Sequence, residues 1–225
     1  MRFQTAYSTP PVVKNLIILN VLFFLAEMVL PADVGNWIIG RLGLFYWESG
    51  NFQIYQLVTH MFLHGNLMHL FFNMFALWMF GRTLEYDLGS KRFLIYYMVT
   101  GIGAGLLQLG ATWIDVHSLE QAVALGNASP YELQAKIHAV TIGASGAVFG
   151  VLLAFGLMHP NVPLMLLFIP VPIKAKYFVI GYGLIELFFG ISGMQSGVAH
   201  FAHVGGMLWG FLLLYYWKRT GKIYY

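Results

Sequence analysis

Apolar and polar positions alternate along this chain in long blocks rather than with the period of an amphipathic helix or a strand. A bilayer core about 30 Å thick takes roughly 20 residues of helix, and six blocks approach that length. They run from about Val12 to Leu30, Asn66 to Phe80, Phe93 to Trp113, Ala139 to His159, Tyr177 to Ile191 and Val198 to Trp217. The first ends at Pro31 and lacks a following small-residue cleavage site, so it reads as a span and not as a cleaved signal. A further apolar stretch, Val162 to Ile173, is interrupted by Pro163, Pro170 and Pro172 and is too short to cross. It reads as an interfacial or re-entrant connection between spans four and five. The pattern predicts an all-α, polytopic membrane protein of one domain over residues 1–225, a six-helix bundle.

Charge placement tests the count independently. With the N-terminus in the cytoplasm and sides alternating, the inside segments hold Arg2, Lys14, Arg82, Lys91, Arg92, Lys174, Lys176, Lys218, Arg219 and Lys222. The outside segments hold Arg41 and Lys136. This bias fits the positive-inside rule for six spans with both termini cytoplasmic. Counting 162–173 as a span would move the last three cations outside. Residues 31–59 are rich in aromatics and are expected on or in the outer leaflet. Residues 114–137 are polar and are expected in water as a loop or short amphipathic helix.

Composition agrees and narrows the class. Charged residues are 9% and hydrophobic ones 59% of the 225, with mean hydropathy +0.70. Soluble domains carry about 25% charged residues. A water-soluble enzyme, a disordered chain and a nucleic-acid-binding domain are therefore excluded, and the net charge of +3 is spread between apolar runs. Without cysteine there is no disulfide, no thiolate nucleophile and no cysteine metal site. The short tails suggest a bacterial inner membrane, with the periplasm as the outside.

Polar groups at bilayer depth are costly, and each is a candidate site residue. Here they are His64, His69 and Asn73 around span two, Ser145 in span four, Glu186 in span five, and His200 and His203 in span six. Spans two, four and six enter from outside. At 1.5 Å per residue, Ser145 lies about 9 Å in, His203 about 8 Å and Asn73 about 10 Å, with His69 one turn above it. A nucleophile, a base and neutral donors in one layer form the inventory for acyl transfer. No Asp or Glu stands near them in sequence, so a Ser-His dyad is expected. Gly143 and Gly146 flank the serine, Phe149 lies one turn on and can stack on His203, and Gly206-x-x-x-Gly210 offers a seam for packing span six on span four.

These motifs together resemble the rhomboid intramembrane serine proteases: Gly143-Ala144-Ser145-Gly146-Ala147-Val148-Phe149-Gly150, His64-x4-His69-x3-Asn73, His203-x2-Gly206-x3-Gly210, and Glu85 followed by Leu88-Gly89-Ser90. The resemblance covers about residues 12 to 217. It implies Ser145 as nucleophile, His203 as general base and acid, His69 and Asn73 as oxyanion donors with the Ser145 N–H, and His64 holding the loop at the entrance. It also implies transmembrane-helix substrates with small residues at the cleavage point. These enter sideways from lipid past span five and the loop Ser192 to Gly197. Neither cofactor nor metal is implied, and no sequence feature specifies an oligomeric state. Where many members carry Trp-Arg in the first outside loop, this chain has Tyr55-Gln56.

Plainer readings compete. Taken alone, Ser145 is a packing serine in a small-residue seam. The histidines suggest a metal site, but His64 and His69 lie on different helix faces and no carboxylate stands at ligand spacing. His200 reads as a loop or rim residue, His60 as interfacial, and Glu85 as an i, i+3 partner of Arg82. Glu186 reads as a buried hydrogen-bonded group, ahead of a proton-path residue or part of a lateral gate. The whole chain could instead be a non-catalytic member that binds transmembrane helices, or a transporter. The former usually lacks the serine or the histidine, and the latter often shows repeat-related broken helices.

Overall fold

The computed structural model describes residues 8–166, 169–193 and 197–223. Ten α-helices and two small antiparallel strand pairs are found among them. Helix α1 (Pro11–Val29) has proline at its first position, where the missing N–H costs nothing, and stops before Pro31. A short helix α2 (Ala32–Leu42), strand β1 (Leu44–Phe45) and a single turn α3 (Gln56–Thr59) make up the aromatic segment. Trp37, Trp47 and Ile54 stand exposed on it, as an interfacial element requires.

The second apolar block is longer than its hydropathy suggests. Helix α4 (Leu67–Ala76) runs through a π-helical stretch, Leu77–Gly81, into α5 (Arg82–Leu88). Asn66 caps it, its side chain accepting the His69 N–H at 2.8 Å. Buried Glu85 does not pair with Arg82. Its carboxylate accepts the N–H groups of Val12 (3.0 Å) and Val13 (2.8 Å) and the Ser90 hydroxyl (2.6 Å). An orphan turn of backbone donors at the start of α1 is thus satisfied from another span. Arg82 lies over the Trp78 ring instead, 5.1 Å from its centre.

Helix α6 (Ser90–Ala124) has 35 residues, about 52 Å, and so extends beyond the expected 93–113 span through Asp115 and Glu120. Helix α7 (Pro130–Ile137) follows, tied back by a Lys136–Asp115 ion pair. The polar segment is therefore largely helical, because its residues propagate a helix already nucleated in the span.

Block four departs most from expectation. Residues 139–144 are not helical: Val140–Thr141 form strand β2, antiparallel to β1. Helix α8 (Ser145–Met158) begins only at the serine and has 14 residues, about 21 Å. That is shorter than a bilayer core about 30 Å thick, and of the residues leading into it Gly143 and Ala144 are buried. Most of α8 is buried on every side, as befits a helix that is apolar all round. Pro163–Leu166 (β3) and Ile169–Lys174 (β4) form an antiparallel pair, which is how the proline-rich connection satisfies its backbone without crossing.

Helix α9 (Ala175–Ser192) is peripheral, with Ala175, Val179 and Glu186 its buried residues. Helix α10 (His200–Arg219) closes the bundle against α6 and α8. Residues 194–196 of the expected gate loop lie outside the described residues. By length and apolarity α1, α6 and α9 qualify as membrane-crossing helices among the described residues. The exposed faces of α1 and α9 carry Leu22, Met28, Ile180, Leu184 and Phe188. Contiguous apolar surface of this extent needs a covering phase, and lipid supplies one. The chain is an integral, multi-pass membrane protein.

Candidate active site

Ser145 is positioned by a break in regular structure. Gly143 sits at φ +128°, a conformation that residues with a Cβ rarely adopt, and its N–H donates to the His60 carbonyl at 2.9 Å. That turn sets Ser145 as the first residue of α8, and the helix's first backbone bond is Val148 N–H to the Ala144 carbonyl. The amides of Ser145, Gly146 and Ala147 precede it, at the positive end of the helix dipole.

His203, on the first turn of α10, lies with Nε2 2.8 Å from Ser145 Oγ. The approach is set by backbone contact: a Cβ on Gly206 would overlap the carbonyl oxygen of Gly146. Gly210 does not continue this seam toward α8; a Cβ there would strike the Tyr96 hydroxyl of α6. The expected ring contact is present. Phe149 stacks on His203 at 4.2 Å and 10°, and Tyr182 of α9 backs Phe149 at 4.8 Å.

The expectation that no carboxylate stands near the histidine is overturned. Glu186 Oε2 accepts the Nδ1–H of His203 at 2.8 Å and the Nδ1–H of His200 at 2.7 Å. His200 is thus no rim residue; it is buried, with its Nε2 making no hydrogen bond among the described residues. Sequence distance hid this arrangement, since Glu186 lies on a different helix. One signal was present: Gly183 and Gly190 share its face of α9, and they pack against Met207 and against His200 and Phe201 of α10. Glu186, His200 and His203 also constitute a set with metal-ligand chemistry. Their O···N separations of 2.7 and 2.8 Å are those of hydrogen bonds, shorter than the roughly 3.3 Å between two ligand atoms on tetrahedral zinc.

His69 is brought to the serine. A Cβ on Gly143 would lie 2.8 Å from His69 Cε1 and Nε2 and 3.7 Å from Ser145 Oγ, so the imidazole and the hydroxyl face each other across the bare α-carbon. His64 is buried and meets His69 edge-on, ring centres 5.0 Å apart. Asn73 is buried one turn further in, and its amide donates to the His69 carbonyl at 2.9 Å. Beside Ser145, a cavity of about 10 Å³ lined by His60, Thr141, Ile142 and Gly146 has room for about one water molecule.

The segment between α1 and α4 is anchored by a residue the sequence pattern did not single out for that role. Gln56 is fully buried; Oε1 accepts the N–H of Phe45 and Gln53, and Nε2 donates to the carbonyls of Arg41 and Asn51. All of its common hydrogen-bonding positions are thus engaged with backbone, and Tyr55-Gln56 holds the loop by neutral bonds. His60, expected at the interface, is buried, and its Nδ1–H donates to the Gln56 carbonyl at 2.7 Å. Burial pushes its pKa down to about 4, the bond to Gln56 opposing the shift.

The rhomboid domain model matches residues 51–220. The chain is 28% identical over 216 residues to the rhomboid protease AarA of Providencia stuartii, covering 88% of this chain and 69% of the relative. It is 28% identical over 211 residues to the putative rhomboid protease YdcA of Bacillus subtilis, covering 94% of this chain and 90% of that one. With the mitochondrial rhomboid protein 1 of Saccharomyces cerevisiae it shares 29% identity over 166 residues, 71% of this chain but only 40% of the yeast protein's length. Matched over most of its length, this chain belongs to the rhomboid family.

Proposed function

We propose that this protein is an intramembrane serine endopeptidase that cuts transmembrane segments near the outer face of a bacterial inner membrane. The carrying observation is the 2.8 Å contact between His203 Nε2 and Ser145 Oγ at the start of α8. His203 accepts the hydroxyl proton as Oγ attacks the scissile carbonyl, and returns it to the leaving amine. A water then hydrolyses the acyl-enzyme by the same route, and the cavity beside Ser145 is a place for it. Negative charge on the carbonyl oxygen meets the Ser145 N–H and the His69 imidazole. Asn73 can join them through the second hydrogen of its amide, the first being held by the His69 carbonyl.

A transmembrane substrate must unwind locally, because helical carbonyls are engaged. Six spans with both termini inside put the Ser145 layer on the outer side, and the bias of cations toward inside segments supports that orientation. Peripheral α9, with few buried residues, is the helix past which a substrate enters from lipid. The test uses purified protein in detergent with a generic single-span substrate, comparing the native chain with Ser145→Ala. Product from the native chain alone is expected. Equal product from both would overturn the assignment of the nucleophile.

A further inference from the structure

We infer that Glu186 is the positioning residue of the catalytic base, held in place by His200. This rests on the Ser145–His203 reading above and adds a third and a fourth side chain to it. A carboxylate is a pure acceptor, so the short contacts at Oε2 fix a proton on Nδ1 of both imidazoles. A neutral imidazole with its proton on Nδ1 presents a lone pair at Nε2, and in His203 that atom faces Ser145 Oγ. Glu186 thus selects the one neutral tautomer able to accept the serine proton. Once the proton arrives, His203 becomes an imidazolium whose positive charge lies against the carboxylate, with both side chains buried.

His200 has a different task. Its own Nε2 meets no partner among the described residues and it does not reach the serine; its contribution is the second bond to Oε2. Two donors converging on one oxygen hold the carboxylate against rotation, and Phe189 packs beside the His200 ring at 5.6 Å. The Gly183, Glu186 and Gly190 face of α9 is pressed on α10 by the same contacts. The groups facing the carboxylate are His200 and His203 from α10 and, one turn away on α9 itself, Tyr182. Beyond His203 stands His69 from α4.

The experiment compares Glu186→Gln with the native chain and with Ser145→Ala. Glutamine keeps the shape but can turn an NH₂ toward Nδ1, which favours the wrong tautomer. The comparable change in a soluble serine protease costs about 10⁴-fold. The expected result is a fall in kcat on the order of 10² to 10⁴-fold with KM unchanged and the melting temperature little altered. Fluorophosphonate labelling of Ser145 should slow in parallel. Activity within about threefold of native, while Ser145→Ala is inactive, would overturn the role of Glu186 and leave the serine protease reading intact. An active Ser145→Ala would overturn that reading instead. Should Glu186→Gln fail to fold, nitrogen-15 NMR of the native chain labelled at histidine decides. His203 protonated at Nδ1 and bare at Nε2 supports the inference, and the opposite tautomer overturns it.

Discussion

Two buried carboxylates stand at opposite ends of this bundle, and their partners differ in kind. Glu85 is surrounded by donors that never titrate: two backbone amides at the start of α1 and the Ser90 hydroxyl. Glu186 is surrounded by two imidazoles, one of them 2.8 Å from a serine hydroxyl. Both acids are buried and hydrogen-bonded, so burial alone does not separate scaffold from chemistry. The identity of the donors does. A carboxylate bonded to amides fixes where a helix begins, whereas one bonded to imidazoles fixes where protons sit.

The comparison is broken most forcefully by exchanging the effects of the two sites. Glu186→Gln should cost activity by two to four orders of magnitude at nearly constant stability. Glu85→Ala should do the reverse. Leaving two amides and a hydroxyl without their acceptor costs about 2 to 3 kcal/mol, seen as a lower melting temperature, while kcat per folded molecule stays at the native value. A large kcat loss in the folded Glu85 variant would erase the distinction.

Gly206→Val sharpens the picture from the packing side. The side chain would collide with the Gly146 carbonyl and push α10 off α8. Overpacking of this kind costs about 1 to 3 kcal/mol, and lengthening the Ser145–His203 contact should lower activity more than stability. A turnover assay alongside thermal unfolding reads both. His200→Phe should cause a smaller loss than Glu186→Gln, since the base keeps its own bond to the carboxylate. A loss as large would show that His200 acts on the chemistry itself.

The smallest effect concerns pH and the outer segment. Burial lowers the His60 pKa from 6.5 to about 4 in the fold. Below about pH 6.5 the His60 imidazole therefore takes up a proton more readily in the unfolded chain than in the folded one. The contribution of His60 to stability should be flat above that point and decline as pH falls toward 4. His60→Gln should flatten the slope, as measured by thermal unfolding across that range; an unchanged slope would place the sensitivity elsewhere.

Much of this was legible in the sequence, and what was not has physical reasons. The pairing of Ser145 with His203, the stacking of Phe149 and the nearness of His69 follow from motif and depth, since helical rise converts residue number to position. Where the chain leaves the helix that conversion fails. Residues 139–144 form a strand and a turn, so Ser145 begins a helix that the hydropathy pattern starts six residues earlier. Hydropathy also does not reveal which face of a uniformly apolar helix meets which neighbour. That is why Glu186 reads from sequence as a buried hydrogen-bonded group without named partners, His200 as a loop or rim residue and Glu85 as a partner of Arg82. Gln56 illustrates the same limit in the loop, where four backbone groups from four different positions converge on one side chain.

The most direct test of the central claim is covalent. The native protein is treated with a fluorophosphonate probe and mapped by peptide mass spectrometry, with Ser145→Ala and His203→Ala beside it. The account predicts modification at Ser145 in the native chain, none at that position in Ser145→Ala, and strongly slowed labelling in His203→Ala. Labelling at another serine, or at an unchanged rate without His203, would contradict it.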